Sequence, residues 1–431
     1  MALDLKILCM FDPKRAHCRM LTLWSVRVPS LLFLFSWIFA SWQDTPASCV
    51  SNSRDLVSLA KCLDTFTILP KYYDEPSYHD AQPTDSEREA WTTAVASLLS
   101  VDRNCTSLAV PPELEGTYVI KRFVPPGLPT SYCILVENSA DCNGMPRGWG
   151  HLVVPEKREQ VSRSLHVSAP HPKYDLGTIE QATALFELSG AKSLLLAGRT
   201  RGAFMQSSTC VQASNPYWKT DPAHNNLEPF FDAFVAIYQW QQQQGGCYSK
   251  SCAFIQVHGK GGTTCPLDQI FLSTGLGNDP WYTDPTDYPV KRLKTSLKQI
   301  FPTWNISLPS DSKCPLVASG NIGGRYINSV PKSKVCLRPA IPHQVKGEFI
   351  HIEQAIESRK SDVYEAWGKA VRETFEPVCA PGMAVHPRKL LCVDGVVAEE
   401  ARAWPWGYLH SRQGLLFLMR FERLRLTIAS S

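Results

Sequence analysis

An imidazole and a carboxylate four residues apart, His171 and Asp175, stand in the stretch 165–182, LHVSAPHPKYDLGTIEQA. Two further strand-like segments end in polar groups: FIQVHGKGG places His258 before a glycine-rich turn, and EFIHIEQA carries His351 and Glu353. Two neutral imidazoles and one carboxylate form a common catalytic zinc set that leaves a position open for water. A further carboxylate close by can take a proton from that water. His171, Asp175 and His258 have the types for the first role, and Glu353 for the second. Taken singly, each has a plainer reading. A histidine at a strand end is usually a satisfied polar residue, Asp175 can cap a helix, and His351 can pack or hydrogen-bond.

The elements around these residues decide whether they meet. Residues 165–167 read as β, Pro170 and Pro172 break the run and restrict the backbone about His171, and Ile179, Ala182, Leu185 and Phe186 follow at helical spacing. SLLLAG at 193–198 and 253–257 are continuous apolar runs, as in strands buried on both faces. Residues 270–273 and 349–352 are further strands. Helices are expected at about 179–188, 227–240, 290–301 and 361–375. Repeated βα units imply an α/β fold with a mostly parallel sheet and helices on both faces. In such a sheet the carboxyl ends of the strands share one edge, where ligands bind. By alternation Glu353 shares a face with His351.

Upstream, residues 42–110 read as a helical cap, with Thr84 and Glu87 fitting a capping box. Residues 111–155 contain TYVIKRFV, SYCILVEN and GHLVVP, β-rich segments suited to an antiparallel extension or to edge strands. The expected organisation is a signal peptide with its preceding residues at 1–48, a cap and β-rich extension at 49–155, an α/β core at 156–378 and a poorly patterned tail at 379–431. A C-terminal helix is one reading of that tail.

The chain has 431 residues, 44% hydrophobic and 19% charged, with a net charge of +4. No dense basic patch interleaved with aromatics is present, which argues against nucleic acid as a partner. The run SLLFLFSWIFA at 30–40, preceded by Arg19 and Arg27 and followed by small residues, has signal-peptide length. A membrane anchor is the alternative, and Met20 is an alternative start. Of the 15 cysteines, all but Cys9 and Cys18 lie between Cys49 and Cys392, and none forms a CxxC pair. That pattern suits disulfides in an oxidising compartment, with one thiol left over. Asn104 and Asn305 open glycosylation sequons. Secretion is expected, with no stable membrane span after signal removal.

Other polar residues are candidates for contact with substrate. Arg199 and Arg201 follow the 193–197 strand, and Arg325 lies in GNIGGRYIN; a guanidinium can hold a carboxylate by two parallel hydrogen bonds. His224, in DPAHN, is a candidate ligand or transition-state donor, while Asp221 and Asn225 can cap. There is no G-x-S-x-G, no H-E-x-x-H and no P-loop spacing.

Ala169-Pro170-His171, followed by an acid and then Gly177-Thr178, resembles the metal-binding loop of zinc-dependent poly-γ-glutamate hydrolases. These share a zinc-hydrolase fold with N-formylglutamate amidohydrolases and metallocarboxypeptidases. The resemblance spans about residues 165–354 and is patchy between motifs. It implies that His171, Asp175 and His258 hold zinc and that Glu353 is the base. Here the acid is aspartate rather than glutamate and its spacing from the histidine differs; Glu180 is the alternative acid. The function implied is a secreted zinc-dependent hydrolase of amide or peptide bonds in small-molecule or peptide substrates bearing a carboxylate. The alternative is a secreted, non-catalytic binding protein on a degenerate zinc-hydrolase scaffold.

Overall fold

A computed structural model describes residues 45–138, 146–213, 216–277 and 279–395. The apolar run at 30–40, Cys142 and the C-terminal residues 396–431, with the helix expected there, lie outside the described residues. Among those described, no helix is long and apolar enough to cross a membrane.

Four helices come first: α1 (Pro46–Asn52), α2 (Leu56–Thr65), α3 (Glu75–Ala81) and α4 (Asp85–Leu99). The Thr84–Glu87 capping box starts α4: the Glu87 N–H donates to Thr84 Oγ1 at 3.2 Å and the Thr84 N–H to Glu87 Oε2 at 2.8 Å. Strands β1 (Tyr118–Phe123), β2 (Tyr132–Glu137) and β3 (His151–Pro155) follow, then β4 (Ser164–Ala169), α5 (Thr178–Ser189), β5 (Ser193–Leu196), α6 (Pro229–Gln243) and β6 (Cys252–Gly259). The chain continues through β7 (Ile270–Ser273), α7 (Asp279–Thr283), α8 (Pro289–Ile300), β8 (Ile306–Ser307), α9 (Ile322–Ile327), β9 (Phe349–Gln354) and α10 (Tyr364–Thr374). The last elements among the described residues are a hairpin of β10 (Met383–Val385) and β11 (Cys392–Asp394), which lies in the poorly patterned tail and is closed by the Cys379–Cys392 disulfide.

One nine-stranded sheet runs β1-β2-β3-β5-β4-β6-β9-β7-β8. The expectation of a mostly parallel sheet needs correction. Only β5-β4-β6-β9 and the β7-β8 pair are parallel; β1-β2, β2-β3, β3-β5 and β7-β9 are antiparallel. The eight residues between β1 and β2 are too few for the helical crossover that a parallel neighbour needs, and β3 and β7 each pair antiparallel with a strand far along the chain. The β-rich segments before residue 155 form one end of the same sheet, with β1 at its edge.

Helices cover both faces. On β4, Leu165, Val167 and Ala169 enter one apolar core with α2, α5, α8 and α10. On the other face Phe254 and Phe349 pack in a second core with α4 and α6. Residues 254, 256 and 258 share that second face and pair in register with 349, 351 and 353: Phe254 with Phe349, Gln256 with His351, His258 with Glu353. The ladder changes from apolar to polar as it nears the carboxyl end of the sheet. The strands bury the phenylalanines and deliver the histidines and Glu353 to the edge of the core.

Six disulfides are present among the described residues: Cys49–Cys62, Cys105–Cys133, Cys210–Cys336, Cys247–Cys252, Cys265–Cys314 and Cys379–Cys392. This is the cysteine usage of an oxidising compartment.

Candidate metal centre

The loop after β4 makes a single helical turn. The Asp175 N–H donates to the His171 carbonyl at 2.9 Å, which brings side chains four residues apart to one side. Gly177, at φ +82°, then turns the chain into α5 in a backbone region that disfavours side chains. His258 reaches the same point from the end of β6. His171 Nδ1 lies 3.2 Å from Asp175 Oδ2 and 3.2 Å from His258 Nδ1, and His258 Nδ1 lies 3.1 Å from Asp175 Oδ2. All three side chains are buried and line a cavity of about 340 Å³.

Surrounding groups assign the hydrogens. The second nitrogen of His171, Nε2, is 3.1 Å from Asp221 Oδ1, and a carboxylate only accepts. The second nitrogen of His258 is 2.9 Å from Gln256 Oε1, which also accepts from the Asn321 amide. Each Nε2 therefore carries the hydrogen, and in the neutral rings both Nδ1 lone pairs face the Asp175 carboxylate. Three acceptors within hydrogen-bond distance of one another and no hydrogen between them require a positive charge. A proton on His171 is one solution: burial disfavours it, but the Asp221 and Asp175 carboxylates outweigh burial and raise this imidazole to about 9. Burial lowers His258 to about 4. Burial also works against ionised Asp175, yet His171 and His258 hold its carboxyl well below the usual range. A cation is the other solution. Nitrogen, nitrogen and oxygen donors, each histidine held from behind by an acceptor, are a set that could hold a metal ion.

Glu353 lines the same cavity without joining the cluster. A carboxylate oxygen of Glu353 and nitrogens of His258 and His351 lie within 4.8 Å of one another, and Oε1 is 3.6 Å from His351 Nε2. Burial, reinforced by the negative charge of Asp175, raises the Glu353 carboxyl to about 8. Among the described residues His351 Nδ1 is buried without a hydrogen bond. Glu180 sits in the first turn of α5 and is not among the cavity-lining residues, so Asp175 is the acid of the cluster.

The structure separates the three arginines. Arg201 lines the cavity, its guanidinium 5.5 Å from the Tyr174 ring centroid and 5.8 Å from that of Trp218. Arg199 is fully buried in a two-pronged ion pair with Glu228, at 2.8 and 2.7 Å, and does not reach the cavity. Arg325 donates to the carbonyls of Ser319 and Val335, both at 2.7 Å, and ties loops together. Arg199 and Arg325, expected to contact substrate, thus bond to internal partners and are not among the cavity-lining residues. Lys260, not singled out from the sequence, lines the cavity instead. His224 also lines it, stacked on Tyr217. Asn104 and Asn305 are both exposed.

Gln256 and Asp221 were not legible as site residues. Gln256 carries one usable signal, its position two residues before His258 on the same strand face. Asp221 caps its own turn, accepting from the Ala223 N–H at 3.1 Å, as the sequence suggests, and reaches His171 as well.

No protein-family model matches the chain, and no curated protein is similar to it in sequence. Among solved structures it is similar to a metallo-carboxypeptidase from Burkholderia cenocepacia, at 11% identity and a TM-score of 0.26, with 68% of each chain covered.

Proposed function

We propose that the chain is an exported zinc-dependent hydrolase of amide or peptide bonds in substrates that carry a carboxylate. The observation that supports this most is the convergence of His171 Nδ1, His258 Nδ1 and Asp175 Oδ2 with no hydrogen among them. Zinc held by these residues would supply Lewis-acid polarisation of the scissile carbonyl. The chain's own groups do the rest. Glu353 in its ionised form takes a proton from the attacking water and passes it to the leaving nitrogen, burial making its carboxylate a stronger base than a solvated one. Arg201 and Lys260, cationic groups on the cavity wall, orient the substrate carboxylate. Gln256 and Asp221 keep both Nδ1 atoms turned inward. The six disulfides and the apolar run at 30–40 support export.

The test is zinc content of protein secreted without added metal. About one zinc per chain is expected in the parent, and loss of tight binding in His171→Ala and in His258→Ala. Full occupancy in both variants overturns the ligand assignment. Zinc without turnover of any carboxylate-bearing amide leaves the non-catalytic binding role.

A further inference from the structure

The Asp221 oxygen that accepts from His171 also decides which nitrogen of His224 carries a hydrogen. Oδ1 lies 3.0 Å from His224 Nδ1, so Nδ1 donates to it. In the neutral ring the other nitrogen, Nε2, then has only a lone pair. The ring is held in this orientation by Tyr217, whose plane lies parallel to it within 4° at a centroid separation of 3.6 Å. Among the described residues the bond to Asp221 is the ring's only hydrogen bond, and His224 lines the cavity. His171, Asp221 and His224 also form a group with metal-ligand spacing. Both of these nitrogens donate to Asp221 Oδ1, so no cation is needed between them. Burial holds the His224 ring below the ordinary histidine range despite the adjacent Asp221.

The expectation of a transition-state donor at this position is therefore reversed. We infer that His224 is a specificity-determining acceptor: its Nε2 lone pair takes a hydrogen bond from the N–H of a secondary amide in the substrate. This rests on the amide-hydrolase reading and narrows it. Esters and tertiary, N,N-disubstituted amides have no hydrogen to give and leave Nε2 facing an unmatched group. Rejection of a ligand that lacks the matching hydrogen is the more discriminating kind of selectivity, because a polar group of the site is then left unpaired.

The experiment uses the zinc-loaded full chain and two probes, N-acetyl-L-glutamate and its N-methyl analogue, with binding measured by calorimetry. The parent should bind the secondary amide about tenfold more tightly, the scale of one hydrogen bond. In His224→Phe that ratio should fall to about one with zinc content unchanged. In parallel, nitrogen-15 NMR of histidine-labelled parent, with the His224 signals identified by their loss in the variant, should show an unprotonated Nε2. An equal ratio in parent and variant, binding of neither probe, or a protonated Nε2 overturns the inference. Low zinc in the parent sinks the hydrolase reading separately, because the nitrogen signal reports the tautomer with or without metal.

Discussion

His171 Nδ1 and His258 Nδ1 face each other across 3.2 Å although 87 residues separate them in the chain. The parallel pairing of β4 with β6 accounts for it. Ser168 sits opposite Gln256, so the loop leaving β4 and the last residues of β6 emerge side by side. Two imidazoles held this close, each with its second nitrogen engaged, leave the cluster one positive charge short.

Glu353 should act on the proton without holding the metal. Glu353→Gln keeps the shape and removes the acceptor. Hydrolysis is expected to fall by at least ~10²-fold, the scale of general-base catalysis, with zinc content unchanged. Loss of zinc in this variant would make Glu353 a ligand, and unchanged turnover would remove it from the reaction.

The two arginines of the β5 loop should separate by phenotype. Arg201→Ala should weaken carboxylate-bearing amides more than neutral ones and leave the melting temperature near that of the parent. Arg199→Ala leaves Glu228 buried and unpaired, and breaking a buried pair costs about 3–5 kcal/mol. That loss should be read in denaturant midpoints rather than in substrate preference. Similar unfolding curves for Arg199→Ala and the parent would contradict the buried ion pair.

Much of this arrangement is legible in the sequence because it depends on local pattern. The apolar runs at 193–198 and 253–257 mark strands buried on both faces, and the prolines around His171 mark the loop that follows β4. The spacing of residues along β9 places His351 and Glu353 on one face. What the sequence does not carry is long-range pairing. Strand direction at β3 and β7 is set by which neighbour each finds, so a sheet read as mostly parallel is mixed. Arg199 and Arg201 are chemically alike and two residues apart. Only the position of Glu228, brought in just ahead of α6, decides that one guanidinium is structural and the other faces the cavity. Asp221 belongs to a loop with no periodic signal, and its contact with His171 is a tertiary fact.

The loop that carries Asp221 and His224 is tethered by Cys210–Cys336, a link across 126 residues. A cross-link closing a loop of that size stabilises by about 4–5 kcal/mol in the chain-entropy account. The double variant Cys210→Ala/Cys336→Ala should lose stability on that scale and bind zinc more weakly as Asp221 loosens its hold on His171. Unchanged zinc affinity in a variant shown to be destabilised would mean that the loop holds its place without the disulfide.

The last prediction concerns acid. His151, on β3, is buried with neither ring nitrogen hydrogen-bonded among the described residues, and burial lowers it from 6.5 to about 4. A base depressed in this way binds fewer protons folded than unfolded between those two values. Its contribution to stability is therefore fully present above pH ~6.5 and is lost as the pH falls through about 4. The loss is on the order of 3 kcal/mol. His151→Phe fills similar space and removes both the unpaired nitrogens and the titration. At pH 7 the variant should be at least as stable as the parent, because an unpaired buried polar group costs ~1–3 kcal/mol. At pH 4.5 it should be clearly the more stable in urea. His166, also lowered by burial to about 4, remains in both proteins, so some acid sensitivity persists in each. Stability curves for parent and variant that run parallel from pH 7 to 4.5 would show that His151 finds a proton-accepting partner or water that relieves its burial.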